Sequence, residues 1–145
     1  LMKKYHLSLS DAVSLFYKYN TPIPNFRFEA YKDGKLIKTV LKETVRQTHY
    51  RLKADSNELV IGETYDVTRI VVSKLDQNGN LLPYAFDAFT VKVSGGIDLI
   101  GPNILALHAG EIAFWVKTNG QSNEGRATVN FSDQELTMEF KIKRR

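Results

Sequence analysis

Between Tyr65 and Thr118 the chain is written as short strand-like runs cut at close intervals by turn residues. The cuts fall at Asp76-Gln77-Asn78-Gly79-Asn80, Gly95-Gly96, Gly101-Pro102, Gly110 and Asn119-Gly120. Runs of this length, rich in β-branched and aromatic residues and bounded by glycine, proline and asparagine, cannot grow into helices, but they suit short strands. Extended to both sides, the pattern predicts strands at 48–53, 58–61, 66–74, 87–94, 104–107, 111–118, 125–131 and 135–143. Eight short strands with turn signals between them predict a two-sheet, immunoglobulin-like antiparallel β-sandwich over residues 44–145.

Period-2 alternation assigns faces. Ile70 and Val72 share one register and are expected in the core, while Val67 and Val71 lie on the other face under partial cover. Phe89, Val91 and Val93 form one face of the next strand. In Ile112-Ala113-Phe114-Trp115-Val116, Phe114 and Trp115 must point to opposite faces, so one fills the core and the other is exposed or covered by a separate segment. Trp115 is the only tryptophan. With Tyr84 and Phe86, after Pro83, it is the candidate for stacking on a sugar ring or for an interdomain contact. The loop Gly120-Gln121-Ser122-Asn123-Glu124-Gly125 reads as mobile.

Residues 1–43 read differently. Ser8 and Asp11 form a capping-box-like start, and Leu9, Ala12, Val13 and Phe16 follow at helical spacing, predicting one short helix over 8–19. Leu7 is placed to staple onto Ala12, and Thr21-Pro22 with Pro24 to stop the helix. Phe26-Arg27-Phe28-Glu29-Ala30-Tyr31 and Leu36-Ile37-Lys38-Thr39-Val40 then flank Asp33-Gly34, a strong hairpin signal.

Composition narrows the chemistry. The 145 residues, 43% of them hydrophobic, suffice for a core, and the chain has no cysteine, so disulfides, thiolate metal sites and thiol nucleophiles are excluded. The missing cysteines favour a reducing compartment, with a bacterial cytoplasm the expected location. Opening on Leu1 without a signal-peptide pattern, the sequence reads as a piece excised from a longer chain. A net charge of +4 is spread among interleaved acids, and Lys141, Lys143, Arg144 and Arg145 read as the solvated face of a last strand, so no nucleic-acid or membrane partner is expected. His6, His49 and His108 lie far apart, and no zinc-binding spacing, nucleophile elbow or phosphate loop is present. Asp76-Gln77-Asn78-Gly79-Asn80 has oxygen groups at alternate positions, but its glycine comes fourth and Asp87 stands where a calcium loop needs glutamate. A turn joining two strands explains it without an ion. No cofactor and no metal is expected.

The segments Tyr65-Asp66-Val67-Thr68-Arg69, Asp76 to Asn80 with Pro83-Tyr84-Ala85, Leu99-Ile100-Gly101-Pro102 and Trp115-Val116-Lys117-Thr118 resemble the C-terminal immunoglobulin-like module of glycoside hydrolase family 2, the β-galactosidase and β-glucuronidase group. Ala30-Tyr31-Lys32-Asp33-Gly34-Lys35 resembles the end of the sandwich domain that precedes that module, which makes residues 1–43 the tail of a neighbouring domain, or an insertion. The resemblance implies a non-catalytic part of a glycosidase. In that family the acid and nucleophile sit on a TIM barrel of about 250 residues, which this chain is too short to hold. Other domains of the parent enzyme are the implied partners, with bracing of the barrel or an oligomer interface as the role. Two alternatives remain open: a carbohydrate-binding module, and an invasin-like bacterial surface domain.

Overall fold

The computed structural model describes residues 4, 6, 8–20 and 25–145. The staple between Leu7 and Ala12 and the stop at Thr21, Pro22 and Pro24 lie outside the described residues. The chain divides into two compact units, Leu1–Thr44 and Val45–Arg145.

In the first unit, helix α1 spans Leu9–Asn20. Its start is a reciprocal cap: the Asp11 amide donates to Ser8 Oγ at 3.1 Å and the Ser8 amide donates to Asp11 Oδ2 at 2.8 Å. The Ser8 hydroxyl also donates to Asp11 Oδ2 at 2.6 Å, and this bond, followed by that of the Ser8 amide, holds the Asp11 carboxyl below its usual pKa. Strands β1 (Phe26–Lys32) and β2 (Lys35–Lys42) form an antiparallel hairpin with Lys32 opposite Lys35. Asp33 and Gly34 both have positive φ, 51° and 74°, which is the type I′ geometry that matches the twist of the flanking strands. No described residue of this unit is buried.

The second unit is a sandwich of two sheets. One contains β3 (Thr48–Ala54), β5 (Val67–Asp76), β9 (Glu111–Thr118) and β7 (Ile97–Ile100), hydrogen-bonded in that order. The other orders β4 (Glu58–Ile61), β11 (Glu135–Arg144), β10 (Glu124–Asn130), β6 (Ala88–Gly95) and β8 (Ile104–Ala106). From β3 to β10 every connection carries the chain to the opposite sheet, and only β10 and β11 form a hairpin within one. The pairing is antiparallel throughout except that β4 runs parallel to β11. A strand that leaves its first sheet at residues 55–57 and joins the other beside the last strand has no choice of direction there. The crossing is fixed by the buried Thr68 hydroxyl, which donates to the Ser56 carbonyl and accepts from the Ser56 amide, both at 3.1 Å.

Between the sheets lies one core. Ile70 and Val72 from β5 and Phe114 and Val116 from β9 meet Phe89, Val91, Ala127, Val129, Phe140 and Ile142 from the other sheet, with Leu59, Ile97 and Leu107 closing the ends. The faces assigned from alternation hold for Ile70, Val72, Phe89 and Val91, which are buried, and for Val93, which packs against them. Phe114 takes the core side and Trp115 the outer side.

Strand β7 was not expected from the sequence. The Gly95-Gly96 pair explains it: these glycines are not a simple turn but the place where the chain passes from one sheet to the other. A Cβ on Gly95 would stand 2.4 Å from the Glu124 carbonyl oxygen and one on Gly96 2.2 Å from that of Ser122, while Gly95 has φ of +75°. Backbone therefore passes against backbone there, and no side chain fits. The Asp76–Asn80 turn likewise does not close a ladder hairpin. It folds the chain back for one bridge, Leu75 to Leu81, before the next strand enters the opposite sheet.

Candidate functional site

The two outer faces of the sandwich differ in chemistry. On the five-stranded sheet the outward positions are Glu58 and Lys143, Lys141 and Glu124, Glu139 and Arg126, Thr137, Thr128 and Lys92. Lys143 pairs with Glu58 at 2.6 Å and Arg126 with Glu139 at 2.8 Å. A shallow groove of about 570 Å³ runs there past Glu58, Ser94, Glu124, Arg126, Glu139 and Lys141. This face is dressed for water.

The four-stranded sheet is charged as well, with Arg51, Lys53, Arg69, Glu111, Lys117 and Asp98 at outward positions, but it also carries an aromatic. Trp115 stands outward in the middle of β9, an interior strand, and its side chain is 45% exposed. Its cross-strand neighbours are Arg69 on β5 and Ile100 on β7. One step along, Val67 and Asp98 flank Lys117, whose Nζ lies 5.3 Å from the centroid of the Tyr65 ring. Tyr65, Val67, Ile100 and Trp115 are all exposed, so an aromatic and aliphatic patch faces outward, edged by charge. Arg69 holds Asp55, on the β3 side of β5, through both Nε and Nη2 at 3.1 Å, a two-point grip that fixes the guanidinium beside the indole. At the far edge Asn119 Nδ2 donates to Asp98 Oδ1 at 3.0 Å and to the Gly95 carbonyl at 3.2 Å.

Tyr84 and Phe86 lie elsewhere. Tyr84 is 91% exposed and Phe86 sets its edge against His108 at 6.1 Å. Their loop is tied to the start of β9 by the Gly110 amide, which donates to the Ala85 carbonyl at 2.9 Å. Trp115 is five residues further along, or roughly 16 Å of extended strand. The three aromatics named from the sequence therefore do not form one row. The residues that do surround Trp115 come from three strands, and Ile100 was out of reach because β7 itself was not read as a strand. The Gly120–Gly125 loop is hydrogen-bonded at both ends, through the Gln121 amide to Asn119 Oδ1 and the Glu124 amide to Ser122 Oγ.

The Asp76 turn is held by its own hydrogen bonds and tied to the preceding segment by Gln77 Oε1, which accepts from the Arg46 and Gln47 amides. The buried Asp76 carboxylate accepts from the Asn78 and Asn80 amides and from Asn80 Nδ2, each at 2.8 Å. Its oxygens face amide hydrogens, the arrangement of an Asx turn. Among the described residues no group of three or more histidines or carboxylates is placed to hold a metal ion. No helix among them is long and apolar enough to cross a membrane.

One charged pair sits partly inside the sandwich end. Lys74 Nζ donates to Asp87 Oδ1 at 2.9 Å and lies 5.0 Å from the centroid of the Tyr50 ring, which stacks on Phe131 with centroids 3.6 Å apart. Burial works against the Asp87 carboxylate, but the hydrogen bond and charge of Lys74 outweigh it and hold its pKa below the usual range. Burial also opposes the Lys74 ammonium, and the hydrogen bonds to Asp87 and Tyr50 outweigh it, raising its pKa. Burial pushes the Tyr50 phenol up. A lowered carboxyl stabilises the fold above its unfolded pKa, about 3.9 for aspartate, and that contribution is lost as pH falls through the lower folded value. Asp87→Asn is therefore expected to lower the urea midpoint at pH 7 and to flatten its fall between about pH 5 and pH 2, measured as unfolding curves against pH. An acid limb as steep as that of the parent chain would show that other carboxylates carry it.

A glycosidase acid must keep its proton to neutral pH, so its pKa has to be raised. Among the described residues, the carboxyls of Asp11, Glu29, Glu58 and Asp87 are held below their usual pKa. These acids serve caps and ion pairs.

No family model matches the sequence. Among curated proteins, a β-galactosidase of Thermoanaerobacter pseudethanolicus is 36% identical over 94 residues, covering 63% of this chain and 12% of the relative. A β-galactosidase of Rhizobium radiobacter is 28% identical over 121 residues, covering 74% of this chain and 86% of the relative. The chain is similar in sequence to β-galactosidases and in fold to a solved member of glycoside hydrolase family 2. Among solved structures, a family 2 member from Bacteroides cellulosilyticus superposes with a TM-score of 0.67 at 18% identity, over 82% of this chain and 17% of its own. That likeness shows the fold. The chain spans about an eighth of the Thermoanaerobacter relative's length and most of the Rhizobium radiobacter relative's.

Proposed function

We propose that this region braces a β-galactosidase-type parent enzyme, whose catalytic barrel hydrolyses O-glycosyl bonds and lies in other domains of that enzyme. The reading is carried by the 36% identity to a β-galactosidase of which the region matches only 12%. The hairpin of β1 and β2 fits the same role: it exposes Phe26, Phe28, Tyr31, Leu36, Ile37 and Leu41, and we assign it to the sheet of a preceding domain that would cover them.

The test is deletion of residues 45–145 from the parent enzyme. Bracing predicts a loss of thermal stability or of oligomeric state, with kcat per folded active site within about twofold. A parent that keeps its stability and assembly while kcat collapses would instead place a loop of this region in the active site, and the bracing role would be wrong.

A further inference from the structure

The patch around Trp115 has properties that bracing does not require. Its apolar part is compact, roughly 400 Å² over the exposed portions of Tyr65, Val67, Ile100 and Trp115. Its rim is made of planar polar groups already fixed in place, which suits a small ligand with both an apolar face and hydroxyls.

We propose that the outer face of β5, β9 and β7, centred on Trp115, is a saccharide-binding platform. A pyranose ring has a face of C–H groups and an edge of hydroxyls, each hydroxyl both donor and acceptor. The indole supplies a flat apolar surface with few rotatable bonds, and it is carried on an interior strand that needs no ordering on binding. Arg69 uses only two of its five N–H groups on Asp55, so the pair offers further donors on one side and carboxylate lone pairs on the other. On the opposite flank Asp98, held by Asn119, and Lys117, held over Tyr65, provide a second acceptor and a second donor. Donors and acceptors thus stand on both sides of an apolar centre, as ring hydroxyls require. Among the described residues, the strands of the other sheet carry no exposed aromatic, and Ile104 on its edge strand is their most exposed large apolar side chain. Tyr84 and Phe86 lie outside this platform, since Trp115 is five residues of strand away from the turn that holds their loop.

The inference does not depend on the bracing role, and its test uses the 145-residue chain alone. Because Trp115 is the only tryptophan, the whole indole emission reports on the patch. Lactose, β-1,4-galacto-oligosaccharides and cello-oligosaccharides are titrated while that emission is followed, and affinity electrophoresis is run in gels containing β-1,4-galactan, xyloglucan or dextran. The expected result is a saturable change in emission with at least one sugar, and retardation in the matching gel. Trp115→Ala should abolish retardation, Trp115→Phe should retain part of it, and Arg69→Met should weaken binding about tenfold, all with thermal unfolding within a few degrees of the parent chain. Unchanged retardation in Trp115→Ala, or no binding to any of these sugars by a folded chain, would overturn the proposal. So would a concentration-dependent dimer in sedimentation that Trp115→Ala dissolves, since the face would then be a contact between copies.

Discussion

Residues 45–145, produced without the first 44, unfold in one cooperative transition within about 4 °C of the full chain, and residues 1–44 alone show no transition at all. The expectation follows from where the apolar side chains are. Each residue of the core cluster, from Leu59 to Ile142, belongs to the second unit. In the first unit the described residues have no buried member, and Phe16, Tyr17, Phe26, Phe28 and Tyr31 are all more than half exposed. A 12-residue helix sits at the limit of what is stable alone, and an isolated two-stranded hairpin is marginal even with a good turn. The capping box and the type I′ turn set local geometry, but neither removes apolar surface from water. Circular dichroism of the two pieces and of the full chain decides the matter. A fall of more than about 10 °C on removing residues 1–44 would mean that these residues cover part of the sandwich and that the two units stabilise each other.

Replacing Phe140 by alanine removes about 3–5 kcal/mol of stability, a large share of the 5–15 kcal/mol that holds a domain of this size. Phe140 is 1% exposed and lies opposite Gly125 across β10, so no neighbouring side chain on that strand can lean into the space it leaves. Gly125 itself is closed against Ile97, since a Cβ there would stand 2.8 Å from Ile97 Cγ2. The cavity would stay open, and the loss lies at the upper end of the range. The urea midpoint should fall in proportion with the slope unchanged, and the melting temperature should drop by about 15 °C or more. Trp115→Ala, which deletes a larger but outward-facing ring, should cost well under half as much. Equal losses at the two sites would mean that Trp115 is buried in solution.

Most of the strand content was legible because alternation and turn residues are local signals. Val67 to Val72 alternates between the outer face and the core, and the split between Phe114 and Trp115 follows from the pleat alone. The capping box at Ser8 and Asp11 and the turn at Asp33-Gly34 were legible for the same reason, since each is made by neighbours along the chain. What was missed was made by neighbours in space. Gly95-Gly96 carries the signature of a turn, and only the carbonyls of Ser122 and Glu124 packed against it show that it is a crossing between sheets, with β7 on the far side. Tyr84 and Phe86 were grouped with Trp115 on residue type, yet the fold holds their loop at the other end of β9. Arg69 and Asp55 became a fixed pair only when β5 was placed beside β9 and the end of β3.

The sequence by itself determined that this chain builds a β-sandwich, that Ile70, Val72, Phe89, Val91 and Val93 turn toward its core, that the first unit holds a helix and a hairpin, and which enzyme group it resembles. The tertiary structure alone decided which strands share a sheet, that β4 runs parallel to β11, and that one outer face is charged while the other gathers Tyr65, Val67, Ile100 and Trp115 beside Arg69 and Asp55. The reason is the range of the interactions. Alternation tells each strand which side to bury, but says nothing about its partner, and in a sandwich whose chain changes sheet at nearly every connection the partners are distant in sequence.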